Sequence, residues 1–303
     1  MATVSRVLII SDTRFGHVNQ SIAYAKYLGY EYDVVEIVFK NKLCKLFSYV
    51  FDALKIYSNI LFELKVERKY DMVVGTGSRT YYAVKVLAKK MHAKSLTMML
   101  PRGYRYDFDV IFAQSHDKPP KQNNIIEIPA NFAYVEPQGL YKADKKSIAI
   151  VLGGDSKVFT MKVKEIAIYL DFIMKYYKGC EIVVSTSPRT SKKIEILLEK
   201  YDFAYKVIFS KTPSNPMADF LNECETICIT GDSTSMISEA ISYGRSSVLV
   251  LPLKSKSQNK FETFMQALEK KGYLHIFNGK IEHKNKKINF LSYVNKANEI
   301  IWL

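Results

Sequence analysis

The sequence predicts an α/β protein built from two Rossmann-like halves. Three observations carry that prediction. Short apolar runs of β character alternate with helical patterns along most of the chain. Four of those runs end in a turn of small or polar residues that opens a helix. After a stretch containing Pro129, Pro137 and Gly139 (residues 129–146), the alternation starts again. Strands alternating with helices imply parallel sheets with crossover helices.

Composition bounds the class. The chain has 303 residues, of which 48% are hydrophobic and 13% aromatic, so a packed two-domain protein is expected and a disordered one is excluded. No run of about 18 apolar residues is present, so no spanning helix is expected. The amino-terminal stretch lacks the layout of a signal peptide, so a reducing cytoplasm is the expected location. Cys44, Cys180, Cys224 and Cys228 are scattered without a CxxC pair; the last three lie in or beside apolar runs and read as buried reduced thiols, not a zinc site. The net charge of +14 asks for an anionic partner: a phosphorylated substrate, anionic lipid or nucleic acid. Nucleic acid is not expected, because no zinc finger, RNA-recognition signature or arginine-rich arm is present.

Taken in order, Arg6–Ile10 reads as the first strand. It runs through Asp12 into Gly16-His17-Val18-Asn19-Gln20 and a helix stopped at Gly29. Gly16 permits a sharp turn, and the end of a first strand is where open α/β sheets place their sites. Tyr32–Phe39 is the next strand. Residues 43–64 follow, with apolar side chains at 43, 46, 47, 50, 54, 57, 61 and 64. That stripe predicts one continuous core-facing helix. The alternative rests Phe47, Tyr49 and Phe51 on an anionic bilayer, between Lys42, Lys45, Lys55 and Lys65. Asp71–Val74 enters the turn Gly75-Thr76-Gly77-Ser78-Arg79 and a helix over 83–91. Strands at Ser95–Leu100, Val110–Ala113 and Ile125–Ile128 complete the half.

The second half repeats the scheme. Ile148–Leu152 runs into Gly153-Gly154-Asp155-Ser156, then a helix over 161–177. Glu181–Ser185 ends in Thr186-Ser187-Pro188-Arg189-Thr190, followed by a helix over 191–200 and a strand Lys206–Phe209. Asn215-Pro216 opens a short helix. Glu225–Ile229 is a strand entering Thr230-Gly231-Asp232-Ser233-Thr234-Ser235, and the helix beyond places Met236, Ile237, Ala240 and Ile241 on one side before Gly244. Ser247–Leu251, a helix over 258–271 and a terminal helix over 288–302 close the chain. The expected domains are 1–140 and 146–285, with 286–303 packing back on the first.

The corner at Thr230–Ser235 can be read in two ways. Asp232 or Ser233 as an N-cap explains it alone. Recurrence of the pattern favours an anion site, because the first turn of a helix directs N–H groups and positive dipole outward. A dinucleotide fingerprint GxGxxG with its following acid, a GxxxxGK[ST] loop and a GxSxG elbow are all missing from the sequence.

Gly153-Gly154-Asp155-Ser156, Thr186–Thr190, Asn215-Pro216 and the string Thr230–Ala240 together resemble the mitochondrial-fission "elongated mitochondria" family. Asp12, Gly16-His17 and Asn19-Gln20-Ser21 look like its amino-terminal signature, with a departure at Thr13-Arg14-Phe15, where the family more often has small residues or Lys-Pro. The resemblance spans most of the chain. It implies a GT-B glycosyltransferase: two Rossmann-like domains facing across a cleft, with the nucleotide-sugar on the carboxy-terminal one. On that basis Gly231, Asp232, Ser233, Thr234 and Ser235 would hold the donor diphosphate, with Met236 also in the donor site, and Glu239 would hold the ribose hydroxyls. Gly153 and Gly154 would let the backbone approach the leaving group, with Gly16, Ser187 and Asn215 also in the donor site. Arg189 would offset diphosphate charge without a metal. His17 or Asp12 would deprotonate the acceptor, and imidazole suits that task near neutral pH. The implied partners are a nucleotide-sugar and a glycan or lipid-linked acceptor, with no cofactor; the positive charge and the apolar stripe over 43–64 agree with peripheral contact with the inner face of an anionic membrane. A nucleotide-sugar 2-epimerase and a non-catalytic recruiter are the alternatives.

Overall fold

Valine, isoleucine and leucine runs pair into two separate six-stranded parallel sheets, as expected where helices cover both faces. The computed structural model describes residues 5–64, 66, 68–156, 158–255, 260–281 and 284–302. The chain divides into two compact units, Met1–Tyr134 with Asn289–Leu303, and Val135–Ile288.

Unit 1 contains, in order, β1 (Arg6–Ser11), α1 (Phe15–Leu28), β2 (Glu31–Glu36), β3 (Val38–Phe39), α2 (Lys42–Ala53), β4 (Phe62–Glu63), β5 (Met72–Gly75), α3 (Tyr81–Met91), β6 (Lys94–Thr97), β7 (Val110–Gln114) and β8 (Ile125–Ile128). Its sheet runs β2-β1-β5-β6-β7-β8, all parallel. Unit 2 contains β9 (Ser147–Leu152), α4 (Val163–Tyr176), β10 (Glu181–Thr186), α5 (Lys192–Leu198), β11 (Tyr205–Val207), α6 (Met217–Glu223), β12 (Thr226–Thr230), α7 (Thr234–Ser242), β13 (Ser247–Leu251), α8 (Lys260–Lys270) and β14 (His275–Ile276). Its sheet runs β11-β10-β9-β12-β13-β14.

The last helix, α9 (Phe290–Trp302), belongs to unit 1, where it packs on α1, β7 and β8. Its Phe290 stacks on Phe132 (ring centroids 4.6 Å apart), which meets Phe112 edge-on. In unit 2 the core gathers Ile148, Ile150, Leu152, Ile166, Leu170, Val184 and Ile194. The connecting segment is tied down by a buried carboxylate: Asp219 on α6 accepts from the N–H groups of Gln138 (3.0 Å), Gly139 (2.9 Å) and Leu140 (3.2 Å).

Four expectations are corrected. The helix predicted over 43–64 stops at Ala53, and Lys55 takes φ +59°. The remainder turns into β4, which pairs antiparallel with β3, Val38 opposite Glu63. This ribbon also ends the second strand early, at Glu36. Nor does the apolar stripe of α2 face the core. Its fully buried residues are Ser48 and Asp52, with Cys44, Tyr49 and Phe51 half-buried beside them; the Asp52 carboxylate, 1% exposed, accepts from Lys85 Nζ (2.6 Å) and Arg105 N (2.7 Å). A buried carboxylate held by two donors fixes which side of the helix points in, and the leucines are left outside. Among the cysteines, Cys224 and Cys228 are buried, with burial pushing both thiols up to about 12, whereas Cys180 is only half-buried.

Candidate functional site

Adjacent parallel strands deliver their carboxy-terminal turns side by side. In unit 1, β1 and β5 are neighbours, so the turn after β1 meets the turn after β5. Asp12 is buried at the end of β1, and its Oδ2 lies 2.9 Å from His17 Nδ1 in the first turn of α1. Asp12 Oδ1 accepts from Arg14 N at 3.2 Å. Between them Thr13 adopts φ +68°, held by hydrogen bonds from its N–H to Ser11 Oγ (3.0 Å) and from its hydroxyl to Asp12 O (2.6 Å). That left-handed backbone favours glycine, which gives the departure at Thr13 a structural meaning: a β-branched residue holds a strained turn. Gly77 closes the site from β5. A Cβ there would lie 2.4 Å from His17 Nδ1, so only glycine lets this turn pass under the imidazole.

Behind the dyad lies a buried polar cluster. Ser21 Oγ is 2.9 Å from Thr76 Oγ1, Gln20 Nε2 donates to Gly16 O (3.0 Å), and Gln114 Nε2 donates to Asn131 Oδ1 (3.1 Å). Sequence reasoning did not select Thr76, Gln114 or Asn131. The available signal was polar residues at the carboxy-terminal ends of otherwise apolar strands.

In unit 2, β10, β9 and β12 are consecutive in the sheet, which brings three predicted turns together. Their centre is the Asp232 carboxylate. It accepts from Gly154 N (3.0 Å), Thr230 Oγ1 (2.7 Å) and Arg189 Nη2 (2.7 Å), and its side chain has no exposed surface. Thr230 Oγ1 in turn accepts from Gly153 N at 2.8 Å. Thr190 Oγ1 donates to Leu152 O (3.2 Å) and accepts from Ser187 N (2.9 Å). Arg189 also donates through Nη1 to Gly154 O (3.3 Å) and Asp155 O (3.2 Å). The two glycines are required by this knot itself. A Cβ on Gly153 would fall 2.2 Å from the Asp232 carboxylate, and one on Gly154 would fall 2.0 Å from Arg189 O. Thr190 and Thr230 are thus nodes that sequence reading quoted without assigning a role.

Above the knot, Gly231 N donates to Leu251 O (3.0 Å), and Ser233 caps α7 by accepting from Met236 N at 3.4 Å. Thr234, Ser235 and Met236 form the first turn of α7, all half-buried. Glu239 stands one turn further on. It is half-buried, its carboxyl receives no hydrogen bond or ion pair among the described residues, and burial pushes its pKa up to about 7. Asn215 lies apart from the knot, in the loop before α6, where its Oδ1 accepts from Met217 N (3.2 Å). Among the described residues no cluster of three or more His, Cys, Asp or Glu has a metal-holding arrangement.

The fold and these turns define a class: an α/β protein of two Rossmann-like units. The profile of the family described as mitochondrial fission ELM1 matches residues 15–301, and the chain belongs to that family. It is similar to the uncharacterised protein RP120 of Rickettsia prowazekii (strain Madrid E), 25% identical over 336 aligned positions covering 93% of this chain and 94% of the relative. Among solved structures it resembles a UDP-N-acetylglucosamine 2-epimerase of Listeria monocytogenes, with TM-score 0.52 at 11% identity, covering 98% of this chain and 90% of that one. It also resembles MnaA of S. aureus solved with UDP, with TM-score 0.50 at 15% identity, covering 97% and 87%.

Proposed function

We propose that the protein is a glycosyltransferase that moves a sugar from a nucleotide-sugar to a lipid-linked or cell-surface glycan acceptor, with inversion and without a metal. The observation that carries this reading is Glu239. A half-buried carboxyl with no protein partner, one turn inside a helix whose amino-terminal corner is built from small residues, suits the hydroxyls of a ribose. The diphosphate then lies at the first turn of α7, where the helix dipole and backbone N–H groups favour anions. Arg189 enters as a cation already shared with Asp232, so it orders the corner as much as it neutralises a ligand. The solved relative bound to UDP supports a uridine nucleotide as the first to try.

The acceptor chemistry is assigned to unit 1. Asp12 holds the Nδ1 side of His17, which leaves Nε2 as the proton acceptor. In this reading Asp12 is a positioning residue and His17 the base. Nε2 takes the proton of an acceptor hydroxyl as its oxygen forms a bond to the anomeric carbon. The bond from that carbon to the diphosphate oxygen breaks, and the nucleoside diphosphate leaves.

The test is a thermal-shift series with uridine and cytidine nucleotides, followed by a nucleotide-sugar hydrolysis panel. A raised melting temperature that Glu239→Ala abolishes is expected. No shift with any nucleotide overturns the enzyme reading and favours a recruitment protein. A 2-epimerase is the second reading, because the fold is similar, at TM-score 0.52, to that of the Listeria UDP-N-acetylglucosamine 2-epimerase. Interconversion of UDP-N-acetylglucosamine without any acceptor would select it.

A further inference from the structure

We propose that α2 is an insertion surface for an anionic phospholipid bilayer. The helix carries apolar residues on both sides. Its protein-facing side holds Cys44, Tyr49 and Phe51, half-buried against the core, and Ser48 and Asp52, both buried and hydrogen-bonded: Ser48 Oγ lies 2.8 Å from Tyr104 OH, and Asp52 binds Lys85 and Arg105 N. Its outward side carries Leu43, Leu46, Phe47, Val50 and Leu54, each between 47% and 64% exposed. These residues recur at three- and four-residue spacing along one face. Ile56 and Ile60 extend the exposed apolar surface past the end of the helix. A soluble fold gains nothing by burying a carboxylate and exposing four large apolar side chains on one helix and a fifth, Leu54, at its cap. An interfacial helix does gain, because the outward face leaves water when it enters the acyl boundary.

Charge identifies the occupant. At the carboxy-terminal end of α2 a cavity of about 390 Å³ is lined by Lys55, Lys89 and Lys90 together with Tyr57 and Ser58. None of the three lysines has an acidic partner among the described residues; Lys89 Nζ sits 4.2 Å from the Tyr57 ring centroid. At the amino-terminal end a second cavity, of about 380 Å³, is lined by Lys42, Lys45 and Arg79 with a single acid, Glu36. An apolar face bracketed by two basic pockets matches acyl chains between phosphate headgroups. A second copy of this chain fits less well, since two such faces would bring their lysines together. Among the described residues no helix is long and apolar enough to cross a membrane, so the contact is interfacial. This inference does not depend on the glycosyl-transfer reading.

The experiment is co-sedimentation of the full chain with vesicles of phosphatidylcholine, with or without phosphatidylglycerol at about 30%. Wild type should pellet with the anionic vesicles and stay in solution with the neutral ones. Leu46→Glu and Phe47→Glu should each lower the vesicle partition coefficient by about tenfold or more, without changing the melting temperature. Lys89→Ala should lower it by roughly fivefold. The proposal is overturned if wild type ignores anionic vesicles, or if both α2 variants bind as wild type does. A dimer in ultracentrifugation that Leu46→Glu dissociates would also overturn it, giving the face to a second copy.

Discussion

The turn after β1 in unit 1 and the turn after β12 in unit 2 are built alike and behave differently. Each places a buried aspartate just past the end of a central strand; Asp232 binds Arg189, and Asp12 binds His17, with Arg14 Nε further off at 3.9 Å. Asp232 is enclosed: three donors from three different turns converge on it, and Arg189 makes further bonds to backbone carbonyls. Asp12 serves a local turn, with a half-buried histidine and one backbone amide as principal partners. One carboxylate therefore locks an arrangement of chain segments, while the other orients an imidazole that still meets solvent. The same position past a strand end thus supplies scaffold in one unit and holds a half-buried imidazole in the other.

That contrast can be broken by substitution. The largest effect is expected for Asp232→Ala, which strands Gly154 N, Thr230 and Arg189; it should lower unfolding free energy by about 3 kcal/mol in denaturant titration. Asp12→Ala should cost only about 1 kcal/mol, and equal losses would erase the distinction. Gly154→Ala comes next, at roughly 2 kcal/mol, because its Cβ meets the backbone of Arg189, which cannot yield as a side chain does.

Glu239 tests the open side of the unit 2 corner. Its folded carboxyl keeps its proton up to about 7, above the ordinary 4.5. The folded state therefore binds more protons than the unfolded chain between those values, and stability falls as pH rises through that window. Glu239→Gln should flatten that fall, with an advantage of about 1 kcal/mol on the alkaline side. Urea titrations on either side of neutrality measure it, and a parallel fall in the variant would remove Glu239 as the cause. The smallest effect is expected at Thr13, where Thr13→Gly should relieve the left-handed turn and raise stability by less than about 1 kcal/mol, offset by loss of the hydroxyl bond.

Much of this was legible in order along the chain. The apolar runs at Arg6–Ile10, Ile148–Leu152 and Ser247–Leu251 are strands because β-branched and aliphatic residues buried on both faces have little other use. The turns that follow them were equally visible, since glycine and small polar residues mark a strand-to-helix corner. Residues 43–64 misled because periodicity reports where apolar residues lie, not which way they point. Asp52 decided the direction, through Lys85 and Arg105, and those partners are distant in sequence.

The fold class, the two-part repetition and the corners rest on local pattern and short-range turn chemistry, so they are written along the chain. The tertiary structure decided what the corners contain. Whether Arg189 waits for an anion or already holds Asp232, and whether Gly153 and Gly154 make room for a ligand or for that carboxylate, depends on strand order. Hydrogen bonds act over about 3 Å, and only the sheet brings residues 154, 189 and 232 within that distance.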